Sequence, residues 1–537
     1  MSNTYTIDLD RLQQGAGFRQ FISFDRPFST YHFVEKKFDE ARTILRCLSL
    51  ARAKGCRTMV MEKIKPIGFL KDENEELKSM GYWTSRDIYR LSFFSKKFKT
   101  PLGLARCPND AFLGYAILKR DGESKSVAKW YVYEAVFEKY NHKHNCVSLP
   151  ATYEVRVDSK IFSVKGILYC QQNGLNKSCA HVAIRSILSR FGKDISYREM
   201  NKTASEEVAG GNYRPSEGLA PSQITAILKS CGLNVWSIDY DQLEQNSSGD
   251  NDFRKILPYQ TVLYSGVESG MGVLVGFELD NGGGKHMVPF YGHTFNKDTW
   301  VTNAEGAYFK IDTNEAGYIP SYKWTSSFIG HDDNFGPCFC VPRLYLPDGK
   351  VDFVAEVLPL DVQYPGMVAE ATAFPLLACF VKMLDEKTVW QKRLEMAFSK
   401  PFPNIVLRTL CVESKQYLAH LQSVSDWSGG KCTNSLIRAI RRFQDVSRFW
   451  VVEFSFPPLF SASERKLGEI VFDATKPLGT QGFSTESSAF LFARLPSACF
   501  VSIGNREDNN PLLVLSRHSS LESHVPVLSL ADESKLM

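Results

Sequence analysis

The chain has no Cys-x-x-Cys pair, and its 13 cysteines are scattered without regular spacing. That argues against a disulfide framework and against a zinc site made of two separated ligand pairs. The densest groupings are the lone Cys338/Cys340 pair and the trio His142, His144 and Cys146, and neither meets that spacing. No apolar run approaches the ~20 residues a bilayer span requires. The most apolar stretch, Ala371 to Val381, contains Pro375 and ends at Lys382. The opening MSNTYTIDLDRLQQ has neither the basic nor the apolar region of a secretory signal. The run Gly282-Gly283-Gly284-Lys285 lacks a first glycine at phosphate-loop spacing and a Ser or Thr after the lysine, which excludes a nucleotide cradle. No internal repeat emerges. These absences predict a cytoplasmic protein with free thiols, no membrane partner, and neither a metal nor an organic cofactor.

The chain has 537 residues, 44% hydrophobic and 23% charged. That composition is ordinary for a globular protein, and the length predicts about three domains at ~100–200 residues each. The net charge of +5 is uneven. Residues 1–150 hold 26 Lys+Arg against 17 Asp+Glu, a balance of +9, and the remainder is at −4. A basic first third can attract nucleic acid or an acidic partner weakly. The densest spot is Ser92 to Lys99, where Phe93, Phe94 and Phe98 interleave with Lys96, Lys97 and Lys99. A solvated loop beside a strand end is the simpler expectation there.

Residues 1–150 predict a mixed α/β domain of unreadable role. A helix is expected through Phe38, Ala41, Ile44, Leu45 and Leu48, and strands at 57–61, 112–118 and 130–133. Residues 151–346 predict helices first and an antiparallel sheet afterwards, an α+β arrangement. Its pieces are a helix over 221–230 ended by Gly232, a strand over 233–236 and a loop over 241–252. Four strand-like segments follow, at 260–264, 273–279, 287–291 and 299–302. Pro347-Asp348-Gly349-Lys350 is a turn sequence and marks a domain edge. Residues 351–537 read as a third α/β domain, helical at 367–384 and 388–398 and then β-rich.

The chemistry concentrates between Cys170 and Gly192. Ala180, Ala183, Ile184, Ile187, Leu188 and Phe191 form one apolar stripe of a helix, with Arg185, Ser186, Ser189 and Arg190 opposite. Cys179 opens that helix, where the partial positive charge and free N–H groups favour a thiolate. The same N–H groups, helped by an upstream amide such as Gln171 or Gln172, can hold an oxyanion. Cys170 reads as a strand end, and His181 as a residue pointing to the surface. A thiol nucleophile needs a base and a group to orient that base. His286 and His293 stand at opposite ends of one strand, about 20 Å apart at ~3.3 Å per residue, so both cannot serve one sulfur.

Gln172, Cys179-Ala180, Ala183, then His286-x-Val288-x-x-x-Gly292, then Trp300-Val301-Thr302-Asn303 resembles a papain-like cysteine peptidase, most nearly the bacterial type related to the peptidase C39 family. The resemblance covers about residues 168–310. It implies a papain-like peptidase domain with Cys179 as nucleophile, His286 as general base and acid, Asn303 as orienter and Gln172 lining the oxyanion hole. Glu305 or Asp298 could stand in for Asn303, and Gln171 for Gln172. A protein or peptide substrate follows. Two other functions share these residues: a Cys-His acyltransferase or transglutaminase-like enzyme, and a catalytically silent binding or sensor module.

Overall fold

The structure, a computed structural model, describes residues 6–7, 15–24, 27–39, 42–138, 145–147, 151–208, 213–246, 253–279, 284–295, 317–343, 345–346, 350–384, 388–399, 404–478, 489–502, 512–515 and 521–530. They form a mixed α/β fold built on several antiparallel sheets.

The first sheet orders Gly15–Ser23, Thr58–Ile64, Ile88–Phe94 and Phe112–Gly122, with Trp83–Thr84 and Lys129–Phe137 both pairing with the last. Successive side chains on a strand face opposite ways, so Met59 and Met61 face one core and Val60 and Ile64 another. On the first face lie the helices Pro27–Phe38 and Arg42–Ala53, through Phe38, Ile44 and Leu48. The helix expected through 38–48 is thus two helices. They part at Asp39, whose φ of 58° lies in the left-handed region that no helix interior adopts. The opposite face shares one continuous core with the hairpin Ala151–Val157 and Lys160–Gly166, and with Ala183, Ile184 and Ile187 of the helix Cys179–Leu188. Phe93 and Phe94 are fully buried, and Phe98 packs edge-on against Phe21 and Phe94. The aromatics of the basic stretch therefore face inward, away from any base they could stack on.

The second sheet runs Leu233–Asp239, Val351–Pro359, Gly272–Glu278, Lys285–Phe295, Thr325–Asp332, Gly336–Pro342, antiparallel throughout. Val351–Pro359, expected in the third domain, lies in this sheet between two strands of the middle third. The expected strand at 260–264 is a helix, Tyr259–Glu268. All ten of its residues are buried, so no polar face betrays the helical period. The expected loop after Asp241 begins as the helix Tyr240–Asn246. The strand expected at 299–302 and the turn at 296–298 lie outside the described residues.

The last part opens with the helices Gly366–Lys382 and Val389–Phe398. Its sheet orders Ile319–Pro320, Val406–Glu413, Arg448–Ser455, Gly468–Asp473, Phe490–Leu495, Ala498–Ser502 and Leu512–Leu515. The buried helix Tyr259–Glu268 joins this sheet to the second. Arg408 Nε and Nη2 reach the two Glu268 oxygens at 3.2 Å each, His293 Nε2 lies 3.2 Å from Glu268, and the Ser269 hydroxyl accepts from Cys411 N. Among the described residues no helix is long and apolar enough to cross a membrane.

Candidate active site

The helix Cys179–Leu188 is central to the fold. It is buried on all sides, so its expected polar face is not solvated. Arg185 is held by Glu134 at 3.2 Å and Asp194 at 2.9 Å, and Arg190 Nη2 donates to Gly270 O at 2.8 Å. The helix lies close on the second sheet at Gly272, where a Cβ would come within 2.2 Å of Ile187 Cδ1. Its start is fixed by a variant of the capping box. His181, at the third helical position, accepts the Ser178 backbone N–H through Nδ1 at 3.1 Å. His181 Nε2 meets Asn201 Oδ1 and the Tyr213 hydroxyl, each at 2.9 Å. The surface position expected for His181 is wrong: the ring is fully buried, and burial pushes its pKa down to about 4. It stays neutral and pins the turn that presents Cys179.

The connection before Cys179 is tied to the first third. Lys177, fully buried, pairs with Glu73 at 2.8 Å and lies over the rings of Tyr131, Tyr133 and Tyr197. Glu73 also faces Lys119 at 3.4 Å. Burial would favour a protonated Glu73, but Lys119 and Lys177 outweigh it and hold the carboxyl below its usual range. Asn176 donates to Glu76 at 2.6 Å. Gln171 is committed here, since its Oε1 accepts from Thr43 Oγ1 at 2.7 Å and Val132 N at 2.9 Å. That leaves Gln172, half-buried in the same segment, as the amide available upstream of Cys179. Cys170 is buried beside Arg185, and desolvation raises its pKa, which disfavours the thiolate.

His286 lies at the start of the strand Lys285–Phe295, buried to 5% exposure, and faces the same cleft as the half-buried Cys179. Both line one cleft of about 590 Å³, with Ala180, Leu219, Asp239 and Phe353 among its walls. His293, at the other end of the strand, is packed against Tyr264 and Glu268 and belongs to the junction with the last sheet.

The second strand of the pair supplies carboxylates. The strand Thr325–Asp332 runs back antiparallel to the His286 strand, matching Phe290 with Gly330, so its end returns to His286. His286 Nε2 lies 3.4 Å from Asp332 Oδ2 and 3.4 Å from Asp333 Oδ1. Asp332 is itself held, its Oδ1 accepting from Asn334 N at 2.8 Å and Phe335 N at 3.2 Å. Asp333 is 5% exposed, and neither of its oxygens has a hydrogen-bond partner. Burial disfavours an imidazolium at His286, but the contacts with Asp332 and Cys179 and the charge of Asp333 outweigh it and push the pKa up to about 10. Burial likewise raises Asp333, to about 7, against the opposing pull of His286.

Asn303, with Glu305 and Asp298, lies outside the described residues, whereas Asp332 and Asp333 stand at the place an orienter takes. Their signal was present in His331-Asp332-Asp333-Asn334, a polar turn between two strand-like runs. The strand that returns to His286 is the one after residues 296–316.

No protein-family model matches the chain, and no curated protein matches it. Among solved structures, the chain is similar to the crystal structure of the peptidase domain of ComA, a bifunctional ABC transporter of Streptococcus involved in a quorum-sensing pathway. The identity is 10%, the match covers 36% of this chain and 98% of that one, and the TM-score is 0.22.

The arrangement can do acyl chemistry. A thiol at a helix N-terminus meets a histidine that two carboxylates keep charged, and a cleft gives a carbonyl access to the sulfur. The histidine is buried and the cysteine half-buried, and the cleft opens on both.

Proposed function

We infer that the chain is a cysteine-dependent hydrolase and that its substrate is a peptide or protein amide. The observation that carries this is that Cys179 and His286 open into one cleft, with Asp332 3.4 Å behind the imidazole. Cys179 is the nucleophile, His286 the general base and acid, and Asp332 the orienter in the role expected of Asn303. The Cys179 sulfur attacks the carbonyl carbon, and the oxyanion is met by N–H groups at the helix start and the Gln172 amide. As the tetrahedral adduct collapses, the C–N bond breaks and His286 gives its proton to the leaving amine. Water then adds to the thioester, giving a proton to His286, and the acid departs as the thiol is restored.

Asp332 suits the orienting role better than Asp333. Its Oδ1 is fixed by two backbone donors and its Oδ2 is left to the imidazole, so the ring is held in one rotamer. The test is a peptide-like electrophilic probe on the full chain, followed by mapping of the labelled residue. Labelling at Cys179, lost on His286→Ala, is the expected result. Labelling elsewhere, or unchanged by that substitution, overturns the reading.

A further inference from the structure

His286 has one N–H at Nε2, and two carboxylates face it. A single proton cannot satisfy both, and a triad uses only one. Asp332 is already held by its turn, so the excess is Asp333, buried with no hydrogen bond to either oxygen. His286 is the shared counter-charge of both carboxylates, so one negative charge is left in excess in a buried place, which a divalent cation would offset. The donor atoms of His286, Asp332 and Asp333 all lie within 4.8 Å of one another.

The spacing fits a particular ion. Zinc bound at ~2.0–2.2 Å to nitrogen and oxygen in a tetrahedron places neighbouring ligands about 3.4 Å apart. The two measured edges, His286 Nε2 to Asp332 Oδ2 and to Asp333 Oδ1, are both 3.4 Å. The third edge is bounded by the same 4.8 Å cluster. One imidazole and two carboxylates form a borderline-hard set, suited to Zn²⁺ more than to Ca²⁺ or Mg²⁺, which take oxygen alone. Asp332 also has what a metal ligand needs behind it, since its second oxygen is pinned by Asn334 N and Phe335 N.

We propose that His286, Asp332 and Asp333 form an inhibitory zinc site, in which the ion takes Nε2 of the imidazole and so competes with the proton that His286 carries. Zinc on Nε2 displaces the N–H, cancels both carboxylate charges, and leaves no imidazolium to protonate a leaving group. The fourth position is open to water or to a substrate group. Binding of the ion does not depend on the chain being a hydrolase.

The test uses the full chain, stripped with a chelator, and measures Zn²⁺ by equilibrium dialysis and Co²⁺ by its visible absorption. One ion per chain is expected, with the strong visible bands of tetrahedral cobalt. Asp333→Asn should weaken binding by more than the ~10–100-fold that loss of an outer partner costs, and His286→Ala likewise. Should His286→Ala not fold, Asp332→Asn and Asp333→Asn carry the comparison, being nearly isosteric. Absence of stoichiometric binding, affinity unchanged in Asp333→Asn, or a cobalt spectrum dominated by sulfur charge transfer that survives Asp333→Asn would each overturn the site.

Discussion

Asp332 Oδ2 stands 3.4 Å from His286 Nε2 because the strand Thr325–Asp332 runs antiparallel to the strand that His286 begins. The carboxylate proposed to orient the imidazole is therefore placed by sheet register, and its side chain is held by its own turn.

Asp332→Asn should shift the pH dependence of the rate. The imidazolium is the form that gives up a proton, so the rate falls as pH rises through the value of His286, about 10. After burial, which opposes the charge, the Asp332 hydrogen bond is the largest influence on that value, and it raises it. Without the carboxylate the alkaline limb moves to lower pH. A limb left in place, measured as kcat/KM against pH, would remove Asp332 from the role.

The two histidines should separate by what each substitution damages. His286→Ala is expected to cost the general acid–base contribution, on the order of 10²–10⁴-fold in kcat. His293→Ala should lower the melting temperature, because it leaves a cavity against Tyr264 and unpairs Glu268 from one partner. It should not lower the rate of the molecules that remain folded. A rate loss in His293→Ala equal to that of His286→Ala would contradict this.

Alkylation with iodoacetamide at neutral pH should be selective for Cys179. Cys170, Cys47 and Cys411 are buried, with thiols pushed up by desolvation, and should stay unlabelled until the chain unfolds. Mass spectrometry of the labelled peptides decides it, and Cys170→Ala should leave the pattern unchanged.

Glu73→Ala should destabilise the fold by about 3–5 kcal/mol, since it leaves Lys177 buried without its counter-charge, while Lys119 keeps Asp121 at 2.9 Å. Denaturant unfolding reads the loss. Labelling of Cys179 should also become slower, because Lys177 anchors the segment that leads into its helix.

Stability should carry a slope from Glu356, whose carboxyl burial pushes from the ordinary 4.5 up to about 8. Between those values the native state keeps a proton that the unfolded chain has lost. This contribution is present below about 4.5 and is lost as pH rises towards 8. Glu356→Gln should flatten melting temperature against pH over that window, and an unchanged slope would count against it.

The proposed nucleophile can be read from the sequence because its signal is local: a cysteine opening an amphipathic helix with Gly192 at its end. His286 was legible from its place between a glycine run and a strand. The place of Asp332 beside His286 was not, since strand order is non-local and residues 296–316 separate the paired strands. Helices buried on every side defeat periodicity, which is why Tyr259–Glu268 read as a strand and His181 as a surface residue. The pairing of Val351–Pro359 with Leu233–Asp239 and Gly272–Glu278 is likewise non-local, and no turn sequence before it carries that information.

The strand Val351–Pro359 lies between Leu233–Asp239 and Gly272–Glu278, though it is made after both. During synthesis the Cys179 helix can settle on the first sheet early, since its apolar partners have already emerged. The sheet bearing His286 has a gap at that stage. A nascent chain that has reached His286 lacks Asp332, and one that has reached Asp332 lacks the strand that fills the gap. The proposed site would thus be completed late and at once, after residue 359 leaves the ribosome, and shorter translation products would carry Cys179 without His286 and Asp332 in place.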